Sequence, residues 1–194
     1  SQSSQNSLET LNLDVLKSQY PIAPELQGIY GYINTDKITI NELKGKVVLI
    51  DFWTYSCINC IRTLPFITAW DEKYRDKGLL IVGVHSPEFD FEKDFDNVSK
   101  AVEKHEIKYP VVLDNDFQTW RAYSNRYWPR KYLIDIDGQI RYDHIGEGAY
   151  EETENGAVVL ALQRVHNLVY GWQDALIETI DRTSRKWARV PDTQ

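Results

Sequence analysis

Residues 47–65 read V-V-L-I-D-F-W-T-Y-S-C-I-N-C-I-R-T-L-P and hold the chain's only two cysteines, Cys57 and Cys60, as a C-x-x-C. An apolar run from Val47 to Trp53, broken only by Asp51, leads into the pair, and a segment of helical character follows it. A strand that delivers a C-x-x-C to the start of a helix has a physical consequence. Unpaired N–H groups and the positive end of the helix dipole stabilise a negative sulfur there. Cys57 therefore gains thiolate character and is the expected nucleophile. Cys60, one turn further in, is placed to close a disulfide with it. The competing reading of a C-x-x-C is half of a structural zinc site, which usually has four tetrahedral ligands. This chain has no second cysteine pair, and none of its four histidines stand at H-x₃₋₅-H spacing. A redox pair is the better reading.

Asp51-Phe52-Trp53 ahead of the cysteines, and a proline eight residues after the first of them (Pro65), resemble the active-site region of thioredoxin-like proteins. The approach to the apolar run, Leu43-Lys44-Gly45-Lys46, resembles the TlpA and ResA group of extracytoplasmic members. V-H-S-P-E-F at 84–89 resembles the thioredoxin-like domain of DipZ-type and NHL-repeat-containing proteins. The same likeness runs from D-N-D-F-Q-T-W at 114–120, through Y-W-P-R-K-Y-L-I-D-I-D-G-Q-I-R at 127–141, to G-E-G-A-Y at 146–150. It covers about residues 28–170.

This resemblance implies an α/β thioredoxin-like fold: a central mixed β-sheet flanked by helices on both faces, with an N-terminal β-hairpin and an extra C-terminal helix. It implies a thiol–disulfide oxidoreductase that exchanges disulfides with protein clients and uses no cofactor or metal. Cys57 attacks and Cys60 resolves the mixed disulfide. Asp51 matches a buried aspartate behind the second cysteine; desolvation would raise its pKa and let it accept the Cys60 proton. The plainer alternative for Asp51 is a solvated residue at a strand edge. Trp128-Pro129 matches a cis-proline loop beside the cysteines, where the Trp128 backbone is open to pair with an extended client segment. Trp53 is expected under the cysteines and, with Tyr55, at the client groove. Ile58 and Asn59 replace the Gly-Pro of thioredoxin. His85 ends a buried strand, either near the site or as a satisfied structural histidine. The implied location is extracytoplasmic, with a membrane tether ahead of Ser1 and a membrane electron-transfer partner of the CcdA type.

The chain has 194 residues, 42% hydrophobic and 26% charged, and a net charge of −7, which disfavours nucleic acid as a partner. No apolar run approaches the ~18 residues needed to span a bilayer. Residues 1–7 are small and polar and read as a tether or linker. Residues 8–194 then form a single domain, with the core at 28–170 and a helical extension at 171–194 carrying Trp172, Leu176, Ile177 and Ile180. Within the core, two β-prone runs around Asn34-Thr35-Asp36 suggest a hairpin over 28–40. A helix is expected from Cys60 to about Lys77, capped by Gly78, with Phe66, Ile67, Trp70 and Tyr74 inward. A buried strand over 79–84 precedes a helix over 91–105 with Phe95, Val98 and Val102 on one face. A strand over 109–114 and a short helix marked by Phe117, Trp120 and Tyr123 follow. Asp137-Gly138 turns one strand (131–136) into the next (139–145). The last core helix, 150–170, should bury Val158, Leu162, Val165 and Val169. His105, His144 and His166 read as surface or helix positions.

Two rival functions fit parts of the pattern. Thr54-x-x-Cys57 coincides with the T-x-x-C of peroxiredoxins, although the proline that precedes that threonine there is absent. Alternatively, two thiolates and a histidine could hold a soft metal in a binding module without enzymatic activity.

Overall fold

The computed structural model describes residues 20–169, with side chains to 162. The expected tether, Val165, His166, Val169 and the extension at 171–194 all fall outside these described residues or side chains.

Seven residues of alternating destination build the centre. In β2 (Val47–Trp53), Val47, Leu49 and Trp53 face one core, and Val48, Ile50 and Phe52 face the other. A strand covered on both faces reads as a continuous apolar run, which is the pattern seen in the sequence. β2 pairs in parallel with β3 (Leu79–His85) on one side and antiparallel with β5 (Arg130–Ile134) on the other. β4 (Val111–Leu113) adds in parallel to β3, β1 (Gly31–Ile33) adds antiparallel to β4, and β6 (Ile140–Ile145) adds antiparallel to β5. The sheet is six-stranded, in the order β1-β4-β3-β2-β5-β6.

The first core lies under α1 (Ile58–Tyr74), α2 (Phe95–Lys104) and α4 (Tyr150–Val169), which contribute Leu64, Ile67 and Trp70, Val98 and Val102, and Ala157 and Leu160. The second is closed by α3 (Gln118–Ala122) through Trp120, and by the segment that supplies Ala23, Ile40 and Leu43. The expected mixed sheet with helices on both faces is therefore observed. α1 runs into a 3₁₀ turn over Arg75–Lys77, and Gly78 ends it at φ +101°, a left-handed conformation that glycine adopts without steric cost.

Four local expectations need correction. No hairpin forms over 28–40. Gly31–Ile33 takes β4 as its partner, and the Asn34 side-chain amide donates to the carbonyls of Ile107 (2.8 Å) and Tyr109 (3.2 Å), which ties the turn to the approach of β4. Ile40 instead leads into a 3₁₀ turn, and its N–H donates to the Glu25 carboxylate. The helix expected over 91–105 is broken: a 3₁₀ turn at Asp90–Lys93 is followed by Asp94, which caps α2 by accepting the Asn97 N–H at 2.9 Å. Phe66 is exposed on α1, where its ring stacks on Tyr150, and Phe95 is exposed over Gly31. The inward face of α4 is Thr153, Ala157 and Leu160, while Leu162 is exposed, because α4 is rotated so that Thr153 meets Tyr142 on β6.

Candidate active site

Cys57 is the N-cap of α1, with an extended backbone (φ −71°, ψ 113°), and its Sγ accepts the Cys60 N–H at 3.4 Å. This is the N-cap role usually filled by a side-chain oxygen, here performed by sulfur. Both cysteines are free thiols; Cys57 is partly exposed and Cys60 is buried. The two are driven apart in acidity. The hydrogen bond from the Cys60 thiol, with help from the N–H groups of Cys60 and Asn59, brings Cys57 down to about 6 against the opposing effects of burial and Glu88. Burial, and the thiol's role as donor to Cys57, push Cys60 far up. At neutral pH this favours a thiolate at Cys57 and a protonated thiol at Cys60.

Asp51 is enclosed in the sheet, 1% exposed, between Gly83 on β3 and Lys131 on β5. Burial raises its carboxyl to about 7, Lys131 pulls it down, and the Cys57 charge pushes it up. The solvated strand-edge alternative is excluded by that burial. Lys131 is also buried; its Nζ donates to the Gly146 carbonyl at 3.2 Å, and burial lowers its pKa against the attraction of Asp51 and Cys60. Sequence reasoning passed over this lysine. The signal was there: Lys131 and Leu133 alternate on a strand whose Leu133 faces the first core.

Trp53 is wholly enclosed, in the same core as Cys60. The expectation that it meets a client is therefore corrected: it supports the cysteines from below. The Trp128–Pro129 peptide is cis. Pro129 precedes Arg130, the register partner of Phe52, so this loop lies at the same sheet end as Cys57. Trp128 donates Nε1–H to the Ser86 carbonyl at 3.0 Å and packs against Trp120. Its own N–H and carbonyl bond no other backbone group among the described residues.

Tyr55 is partly exposed beside Cys57; its ring stacks on His85 and its hydroxyl donates to the Phe91 carbonyl at 3.2 Å. His85 is fully buried, with Nε2 3.3 Å from the Thr54 hydroxyl, and burial lowers its pKa to about 4, so it is neutral at physiological pH. Thr54 is buried as well. Among the described residues, no three His, Cys, Asp or Glu side chains gather closely enough to hold a metal ion.

The Redoxin family model matches residues 26–159. Over 135 residues the chain is 51% identical to Protein DipZ of Mycobacterium tuberculosis, a match that covers 68% of this chain and 19% of DipZ. The chain thus spans about a fifth of that relative's length. Thiol-disulfide oxidoreductase YkuV of Bacillus subtilis is 33% identical over 132 residues, covering 68% of this chain and 87% of YkuV. The solution structure of a thioredoxin-like protein in its oxidised form superimposes with a TM-score of 0.68 at 29% identity, covering 74% of this chain and 97% of that one. The α/β fold is thioredoxin-like.

Proposed function

The chain belongs to the Redoxin family, and on that premise we propose that it is a thiol–disulfide oxidoreductase acting on protein clients through Cys57 and Cys60. The observation that carries this reading is the split between a partly exposed Cys57 at about 6 and a buried Cys60 pushed well above the ordinary thiol range.

In the reductive direction the Cys57 thiolate attacks one sulfur of a client disulfide. A mixed disulfide forms and the other client sulfur leaves as a thiolate. Cys60 then loses its proton to Asp51, and its thiolate attacks Cys57 Sγ. The client departs with both sulfurs reduced, and Cys57–Cys60 becomes the disulfide. Two electrons have moved from this chain to the client. Asp51 suits the proton step because its affinity lies near neutral pH. The Trp128 backbone and Tyr55 flank Cys57 as client contacts, with Pro129 setting the loop.

The peroxidase alternative is weaker, because Trp53 stands where peroxiredoxins carry the proline that precedes their threonine. Part of this proposal is an extracytoplasmic location, a membrane tether and recycling by a membrane electron-transfer partner of the CcdA type; the likeness to DipZ and the TlpA and ResA group supports it. Among the described residues no helix is long and apolar enough to cross a membrane.

The test is the reduction potential of the Cys57–Cys60 pair, measured by equilibration with defined thiol buffers and trapping of free thiols. A value near that of thioredoxin, about −270 mV, assigns a reductant; one near that of DsbA, about −120 mV, assigns an oxidant. Absence of any reversible disulfide would sink the oxidoreductase reading.

A further inference from the structure

We propose that Glu92 is a positioning residue whose buried carboxylate clamps Ser56, the residue before the nucleophile, to the loop after β3, and so fixes Cys57 at the head of α1. The proposal rests on Cys57 being the nucleophile.

Glu92 is 0% exposed. One carboxylate oxygen accepts the Ser56 N–H at 3.2 Å and the Ser56 hydroxyl at 2.6 Å; the other accepts the N–H groups of Glu88 at 2.6 Å and Phe89 at 2.9 Å. A buried carboxylate is costly unless its lone pairs are met, and here four donors meet it. The bonds to Glu88 and Phe89 close a local turn. The reach to Ser56, 36 residues away, does nothing for that turn.

The residues before Cys57 are joined to the 85–92 segment at every step. The Trp53 carbonyl accepts the Ser86 N–H at 3.0 Å, Thr54 meets His85, Tyr55 donates to the Phe91 carbonyl, and Ser56 bonds Glu92. Glu92 makes the last and only charged link of this series, at the residue that precedes the nucleophile. Cys57 Sγ depends on fixed geometry at the helix start, since it must stay aligned with the Cys60 N–H. Loosening Ser56 loosens that alignment.

The experiment measures the pH dependence of iodoacetamide alkylation of Cys57 in the full chain, for wild type, Glu92→Gln and Ser56→Ala. A glutamine side chain has only one acceptor oxygen, so Glu92→Gln breaks one of the two pairs of bonds; Ser56→Ala removes only the hydroxyl bond. Positioning requires the alkylation midpoint to move to higher pH in both, further in Glu92→Gln, with a severalfold slower rate at pH 6. A role through charge alone moves the midpoint to lower pH in Glu92→Gln and leaves Ser56→Ala unchanged. A role in fold stability alone lowers the thermal midpoint and leaves both alkylation midpoints in place. Either of these outcomes overturns the proposal. If Glu92→Gln does not fold, Ser56→Ala decides it. A wild-type profile with no titration near about 6 would instead strike at Cys57 as the nucleophile.

Discussion

Asp51 on β2 stands in direct register with Lys131 on β5, and both side chains are buried beside the first core. The Asp51 charge in turn helps push Cys60 up, and Cys60 joins Asp51 in favouring the charged lysine. The lysine keeps the carboxyl from rising further than about 7, and the carboxylate keeps the lysine from losing its proton more easily. In the proposed reaction this pair would serve as a proton acceptor poised near neutral pH for Cys60, in the range where general-base catalysis is effective.

Replacing Asp51 with Asn removes that acceptor. The attack by Cys57 should persist, while resolution by Cys60 slows by about 10²-fold, a typical loss for a general base. Stopped-flow reduction of a disulfide-linked peptide, with acid trapping, should show the mixed disulfide accumulating in the variant. A variant that resolves at the wild-type rate would remove Asp51 from the proton step.

The same substitution has a signature in stability. Asp51 holds its proton more tightly folded than unfolded, so its contribution is present below pH ~4 and is lost as pH rises through about 7. His85 runs the other way: its folded affinity is depressed to about 4, and its contribution is lost as pH falls through that value. The two oppose each other, so the wild-type curve alone is uninformative. The difference between Asp51→Asn and wild type isolates Asp51. That difference should shift in favour of the variant by up to ~4 kcal/mol between pH 4 and 8, at 1.36 kcal/mol per pKa unit. Urea unfolding across this range measures it, and a flat difference would contradict the buried, raised carboxyl.

How much of this could be read from sequence depended on how local the determinant was. The C-x-x-C at a strand-to-helix junction, the Asp137-Gly138 turn and the doubly buried β2 all follow from residues adjacent in the chain. The hairpin was misread because the partner of Gly31–Ile33 is Val111–Leu113, far along the chain, and two short β-prone runs cannot reveal a distant partner. Lys131 and Glu92 were missed for a related reason. A charged residue on a strand or turn is normally solvated, and only the tertiary neighbours (Asp51 for one, Ser56 for the other) make burial tolerable.

Lys131→Met tests the opposing cation. Burial is the dominant influence raising Asp51 and Lys131 the principal one lowering it, so loss of the ammonium should carry the carboxyl above about 7. The pH profile of the resolution step should move to the alkaline side, and a second loss on top of Asp51→Asn should be much smaller than on wild type. A double-mutant cycle on resolution rates checks this; strict additivity would mean that the two groups act independently.

Cys60→Ala addresses the nucleophile's acidity. The thiol of Cys60 is the largest influence lowering Cys57, ahead of the backbone N–H groups of Cys60 and Asn59. Without it the alkylation midpoint of Cys57 should rise from about 6 toward the ordinary thiol value near 9, while remaining below it because those N–H groups persist. The variant should also hold clients as stable mixed disulfides, since nothing resolves them. An unchanged midpoint would assign the acidity to the helix terminus alone.

Gly83 shows how closely the support beneath the cysteines is packed. It is the parallel register partner of Asp51, and a Cβ added there would lie 3.0 Å from Trp53 Nε1, 3.2 Å from Tyr109 Cε2 and 3.3 Å from Val111 Cγ2. Its backbone is not in the left-handed region, so the demand on this position is one of space. Each of the three neighbours is fully buried and has little room to withdraw. Gly83→Ala should therefore cost ~1–3 kcal/mol, the usual penalty for overpacking a core, read from the urea midpoint. Trp53 shares the first core with Cys60, so the strain should also reach the resolving cysteine. The expected result is slower resolution together with lower stability. A variant of wild-type stability would show that Trp53 or Tyr109 can shift, and that the floor of the site is looser than its contacts imply.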